Sequence, residues 1–304
     1  MDFPCWWCLL TPPSVCGLRQ SDSERAGLRE GMTGEAMTDE KEAPCVAVYG
    51  TDGGGPFVLV SDHAGRAVPS YLGDLGVSAE DRARHIGWDI GIDGVGRALA
   101  QKLQAVLIEQ VYSRLVIDCN RAPGHPTSIV KISDGTPVPA NHALTAEQIA
   151  YREDTILHPY HARITQELDA RLKAGRPTVV VALHSFTPEM GGLKRPWQVG
   201  LLHNHDNRLA VLLMELLRKE GLTVGDNEPY ALTDTSDYTV PTHGEKRQLP
   251  HVEIEIRQDL IDHPAGQEEW AARLARLLPQ AWALFCQTYG VTPGAQADAE
   301  GAMA

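Results

Sequence analysis

From residue 44 onward, short runs of aliphatic and β-branched residues alternate with stretches in which apolar positions recur every three or four residues, the pattern of a layered α/β domain. Strands are predicted at Val46 to Tyr49, Phe57 to Val60, Val106 to Glu109, Leu115 to Asp118, Thr178 to Ala182, Val199 to Leu202 and Val252 to Ile256. Several are apolar on both faces, as central strands covered by helices must be. The last alternates: Glu253, Glu255 and Arg257 share one face, and Val252, Ile254 and Ile256 the other.

Helices fit between these runs. Val95, Leu99 and Leu103 form a four-residue stripe within 92–103, and Thr145 is placed to cap a helix beginning at Ala146. Tyr151, Ile164, Leu168 and Leu172 continue an inward face, with His158-Pro159 dividing the run into two helices before Gly175. Leu209 to Leu217 and Trp270 to Phe285 supply two more. Between Gly225 and Pro250 lies a polar segment too long for a simple connection, as segments that cover a site often are.

Residues 1–43 and 290–304 carry neither periodicity and read as a loose leader and tail around one body at 44–289, with Met32 or Met37 as alternative starts. Cys5 and Cys8 have C-x-x-C spacing, but no strand precedes them, so they read as part of the leader rather than as a redox motif. Cys45, Cys119 and Cys286 are expected to be reduced thiols. The leader lacks a secretory signal pattern and no apolar run reaches the roughly 18 residues of a spanning helix, so a cytoplasmic protein without membrane attachment is expected. A net charge of −13, from 40 acidic against 27 basic residues with no basic block, argues against nucleic acid.

The G-x-S-x-G, H-E-x-x-H, G-x-x-x-x-G-K-[ST] and G-x-G-x-x-G signatures are absent, which removes several enzyme classes. What remains is polar chemistry at strand ends. Ser61-Asp62-His63-Ala64-Gly65 follows one strand and His184-Ser185 another, and ligands of α/β sheets collect at such ends. Two imidazoles held there can share zinc, and Asp89, at a helix entrance, can complete a three-ligand site with a place open for water. A hydrogen-bonded structural role is the alternative for each histidine. Arg114 and Asn120-Arg121 flank the 115–118 run and suit recognition of a carboxylate, with surface ion pairs as the competing reading. Glu255 is a candidate general base, and Glu253, on the same face, is its rival.

These blocks, in this order, resemble the N-formylglutamate amidohydrolases: Ser-Asp-His-Ala-Gly (61–65), Trp88-Asp89, Tyr-Ser-Arg-Leu-Val-Ile-Asp-Cys-Asn-Arg (112–121), Pro159-Tyr160-His161, Leu183-His184-Ser185 and Glu255-Ile256-Arg257-Gln258. The resemblance implies a three-layer α/β/α fold around a central mixed sheet, phosphorylase/hydrolase-like and akin to the zinc exopeptidases. It implies one Zn2+ ion held by His63, Asp89 and His184, with Glu255 as general base and Arg114 polarising the scissile carbonyl. Asn120 and Arg121 would grip a substrate carboxylate, while Tyr230, Trp197 and Arg257 would line the pocket. The family hydrolyses N-formylglutamate to formate and glutamate in histidine breakdown. Residues 192–200 and 226–230 resemble a branch whose substrate is not assumed to be that compound, which leaves N-acylated acidic amino acids as the expected class. A carboxypeptidase or amidase acting on a peptide or cell-wall amide, and a non-catalytic binding protein of the same fold, are the rivals.

Overall fold

The computed structural model describes residues 44–50 and 54–291; the expected leader, with Cys5 and Cys8, and the expected tail beyond 291 lie outside the described residues. Strands β1 (Val46–Tyr49), β2 (Phe57–Ser61) and β3 (Val106–Gln110) come first. A small hairpin pairs β4 (Ile132–Ser133) with β5 (Thr136–Pro137), and a second, after β6 (Val179–Phe186), pairs β7 (Glu189–Met190) with β8 (Leu193–Lys194). β9 (Val199–Leu202), β10 (Val224–Asp226) and β11 (His251–Arg257) complete the set. The helices are α1 (Ala79–Arg82), α2 (Ile92–Leu103), α3 (Ala146–Arg152), α4 (His158–Lys173), α5 (Arg208–Lys219) and α6 (Pro264–Tyr289).

Seven strands form one sheet in the order β1-β3-β2-β6-β11-β9-β10. The inner four, β3, β2, β6 and β11, are mutually parallel, whereas β1 and β9 run antiparallel to their inner neighbours, so the sheet is mixed. On one face Val95 and Leu99 of α2, Leu213 and Leu217 of α5, and Leu274 and Leu278 of α6 bury against Leu59, Leu107, Val181 and Ile254. Across the sheet, Tyr160, Ile164 and Leu168 of α4 cover Val58, Ile108 and Val180. Each side chain so buried contributes about 1.5–3 kcal/mol. The result is the three-layer α/β fold that the alternation of runs predicts.

Two expectations need correcting. Leu115 to Asp118 is buried but is not a strand. A short apolar run reports burial and cannot by itself report pairing. Its backbone is satisfied from elsewhere: the Asp118 amide donates to the Ser128 carbonyl at 2.7 Å, Asn141 Nδ2 donates to the Leu115 carbonyl at 2.8 Å, and Arg152 Nη1 donates to the Val116 carbonyl at 2.8 Å. In the helical run, Tyr151 and Leu172 are exposed, and the inward positions are Tyr160, Ile164, Leu168 and Arg171. A π-helical turn at Glu153–Leu157 separates Tyr151 from the later stripe, and a period of 3.6 residues shifts that stripe from a four-residue to a three-residue step by its end. The cap holds: Thr145 and Gln148 form a reciprocal capping box.

Away from the cavity described below, the Glu109 carboxyl of β3 lies buried against α2, 3.5 Å from Arg97 Nε. Burial, with Asp93 adding its own negative charge, pushes its pKa up to about 8 against the pull of Arg97. A carboxyl raised in the folded state above its ordinary value of 4.5 adds stability that is complete below that value and is lost as pH climbs through 8. Glu109→Gln is therefore expected to match the wild type near pH 4.5 and to be more stable by roughly 1–2 kcal/mol above pH 8. Urea unfolding across that range checks it; parallel stability profiles would contradict it.

Candidate metal centre and active-site cavity

The parallel inner strands deliver their carboxyl ends to one edge of the sheet. β2 runs into Asp62 and His63, β6 carries His184, and β11 brings Glu255 level with His184 in its register. Gly65 lets the chain turn away, since a Cβ there would lie 2.0 Å from the Val111 carbonyl oxygen. Asp89 arrives just before α2. Its amide donates to the His63 carbonyl at 2.9 Å, and its Oδ2 accepts from the Ser185 amide at 3.2 Å. Gly91, the N-cap of α2, has φ of 83° and abuts the Ile261 carbonyl, so no residue with a Cβ fits at that position.

The rings of His63 and His184 have centroids 4.9 Å apart, and one ligand atom from each, together with Asp89, lies within 4.8 Å of the others. All three residues are buried. His63 Nε2 is held by Asp118 Oδ1 at 2.7 Å, which leaves Nδ1 without a hydrogen-bond partner, 3.5 Å from Asp89 Oδ2. His184 Nδ1 lies 3.0 Å from the same oxygen, and its Nε2 sits 3.3 Å from Asp62 Oδ2, too poorly aligned for a hydrogen bond. Each imidazole thus turns one nitrogen outward to a carboxylate and the other inward to Asp89, the carboxylate–histidine arrangement of metal sites. His63 Nδ1 and Asp89 Oδ2 face each other beyond hydrogen-bond reach, a gap that a cation held by both would bridge. The donor set of two imidazoles and one carboxylate fits such a cation.

The electrostatics agree. Five buried carboxyls, Asp62, Asp89, Asp118, Glu253 and Glu255, gather here around the His63 and His184 imidazoles. Burial alone would raise Asp62, but the His184, His63 and His161 imidazoles bring it down to about 2. Asp89 and Asp118 are likewise held well below the carboxylate range, Asp89 by His63 and His184, and Asp118 by Arg114 and His63. Burial drives Glu255 up to about 7 against the attraction of His184, with Asp89 pushing the same way. Glu253 is likewise raised well above its ordinary value, by burial and by Asp237. Both glutamates line the cavity and feel His184; Glu255 stands level with His184 in the register, while Glu253, one pleat earlier, also lies near Asp237.

The cavity around this cluster has a volume of about 460 Å³. Arg114 lines it, with Nη2 on Asp118 Oδ2 at 2.7 Å and Nη1 3.4 Å from Asp89 Oδ1. Arg121 lines it beside Asp237, and Tyr230 reaches it from the 226–240 segment, its hydroxyl accepting from Arg195 at 2.9 Å. Asn120 is in the wall, but its Oδ1 accepts the Tyr238 and Thr239 amides at 2.9 and 3.0 Å and its Nδ2 donates to Asp237 at 2.9 Å. Its side chain is largely spent in fastening that segment.

Two residues expected in the pocket are not brought to it. Arg257 and Trp197 lie outside the cavity lining. The Arg257 guanidinium clasps Asp259 through Nε at 2.8 Å and Nη2 at 3.2 Å and reaches the carbonyls of Arg195 and Trp197. Arg257→Ala is expected to lower stability by roughly 0.5–1.5 kcal/mol and leave KM within about twofold. A KM raised about tenfold would return Arg257 to substrate binding. Conversely, reading 115–118 as a strand assigns no role to Asp118, which holds both His63 and Arg114; its spacing four residues after Arg114 was the available signal. Asp62, adjacent to His63, Asp237 and Arg195 were also passed over.

A sequence profile of the N-formylglutamate amidohydrolase family matches residues 55–262. Among solved structures, a gene product from Agrobacterium tumefaciens is 36% identical, with a TM-score of 0.78, over 80% of this chain and 96% of that one. An N-formylglutamate amidohydrolase from Ralstonia eutropha, 20% identical, has a TM-score of 0.64 over 81% of this chain and 100% of its own. No curated protein matches the sequence.

Proposed function

We propose that this chain, which belongs to the N-formylglutamate amidohydrolase family and so to the hydrolases of carbon–nitrogen bonds other than peptide bonds, cleaves an N-formyl or other N-acyl amide of an acidic amino acid with one divalent cation. The observation that carries the reading is the meeting of His63, Asp89 and His184 in the lining of a cavity that the buried Glu255, level with His184 on the next strand, also lines. Those three residues would hold the cation, and zinc suits their donors. When bound, it supplies Lewis acidity to water and to an amide carbonyl.

Glu255 acts as general base. It takes a proton from the attacking water and returns it to the leaving nitrogen as the carbon–nitrogen bond breaks, giving a carboxylic acid, formic acid in the simplest case, and the free amino acid. Burial keeps its proton affinity near neutrality, where both transfers are cheap. Arg114, fixed by Asp118 and Asp89, offers positive charge to the acyl oxygen as negative charge develops there. Arg121 anchors the substrate carboxylate, and Asn120 and Tyr230 shape that end of the cavity. A cytoplasmic location belongs to the same proposal, supported by free thiols at Cys45, Cys119 and Cys286.

The test is a panel of N-formyl-L-glutamate, N-formyl-L-aspartate, longer N-acyl homologues and short peptides, read for released acid and released amino acid before and after chelation. Formate release that chelation abolishes and zinc restores is the expected result. Amino acids released from the peptides alone would favour a carboxypeptidase, and full metal occupancy with no turnover would favour a binding protein.

A further inference from the structure

A second group of metal-ligating side chains lies outside the cavity lining. His205 follows β9, Asp234 lies in the long segment after β10, and Glu245 ends the π-helical turn Pro241–Glu245; one ligand atom from each lies within 4.8 Å of the others. His205 Nε2 is 3.1 Å from Asp234 Oδ2, and Glu245 Oε1 accepts the His205 amide at 2.7 Å. The Asn204 amide sits between the two carboxylates, 2.7 Å from Asp234 Oδ1 and 3.3 Å from Glu245 Oε2. Exposed acidic residues beside a histidine are common, and by themselves they say nothing.

The independent observation comes from beneath them. His251, the first residue of β11, has a side chain only 1% exposed, and its Nε2 has no hydrogen-bond partner. Its Nδ1 lies 2.8 Å from the Leu249 carbonyl, which can only accept, so Nδ1 carries the proton and Nε2 presents a lone pair. That nitrogen lies 3.8 Å from Glu245 Oε1. Two acceptors face each other in a buried place, beyond hydrogen-bond reach, as His63 Nδ1 and Asp89 do in the cavity.

We infer that His205, Asp234 and Glu245, backed by His251 Nε2, form a second, peripheral site for a divalent cation of borderline softness, of the zinc, cobalt or nickel class. Imidazole nitrogen with carboxylate oxygen selects that class over magnesium or calcium. The cation ties the loop leading into α5, the segment after β10 and the π-helical turn to the start of β11. That matters to the cavity, because the segment after β10 carries Tyr230, Ala231, Ser236 and Asp237 into its wall and β11 carries Glu253 and Glu255. Metal at the periphery fixes one wall of the reaction chamber.

The experiment uses the full chain, stripped with chelator, reloaded with Zn2+, passed through gel filtration and analysed for zinc per chain. His205→Ala and Asp234→Asn, both at the surface, are each expected to hold one equivalent less than the wild type. Zinc addition to a His63→Ala/His184→Ala double variant is expected to raise Tm, and adding His205→Ala is expected to abolish that rise. Wild-type zinc content in the His205 and Asp234 variants would overturn the inference. Its failure is separable from that of the cavity reading, which the His63 and His184 variants test.

Discussion

His63→Ala and His184→Ala are each expected to lower the proposed formate release by at least about 10³-fold, because each removes one of the two nitrogen donors of the proposed metal site. One imidazole and one carboxylate leave too few fixed donors, and the remaining ligand atoms, all buried, are left facing one another uncompensated. Both variants should therefore lose the equivalent of metal that the cavity holds, and zinc should restore neither. Asp118→Asn makes a graded companion. It leaves the three donors in place but weakens the hold on His63 Nε2, now 2.7 Å from a full carboxylate, so metal affinity should fall by roughly 10- to 100-fold while excess zinc recovers most activity. Metal analysis with rate measurements at rising zinc separates the cases; a His184→Ala variant with wild-type zinc and rate would remove the centre from the mechanism.

The second large effect belongs to Glu255. Glu255→Gln keeps the shape and most of the packing at a buried position but cannot accept a proton, so kcat should drop by about 10²–10⁴ while metal content and KM stay near wild type. Glu253→Gln provides the contrast. Burial and Asp237 push that carboxyl well above its ordinary range, favouring the uncharged form, so an amide in its place should cost less than about tenfold. Single-turnover measurements on metal-loaded variants check the pair, and a larger loss at 253 than at 255 would reverse the assignment of the base.

Much of this was legible before any coordinates. Strand ends announce themselves where an apolar run stops at a polar residue: His63 follows the end of β2, whereas His184, expected just past its strand, lies within β6, which runs on to Phe186. The resemblance to the family also agrees with the match over residues 55–262. Glu253 and Glu255 were visible as one face of β11, but which of them stands level with His184 depends on register against β6, and local pattern carries no register. Arg257 continues the same face by count, yet Asp259, two residues on, captures its guanidinium at the end of the strand. Asn120 looked like a free donor and proved to be a clasp, because its partners, Asp237, Tyr238 and Thr239, stand 117 to 119 positions away. Long-range polar pairing is where reading along the chain stops.

The irregular buried stretch from Leu115 to Cys119 carries a consequence for how the enzyme is put together. Three of its carbonyl groups are answered by Asn141, Arg152 and His161, which lie 26, 36 and 42 positions downstream. The geometry of Arg114 and Asp118 therefore depends on Asn141 and on the docking of α3 and α4. Natural or engineered exchange of that stretch between relatives should succeed only when those three distant partners travel with it, so the heritable unit of this active site is longer than any of its motifs.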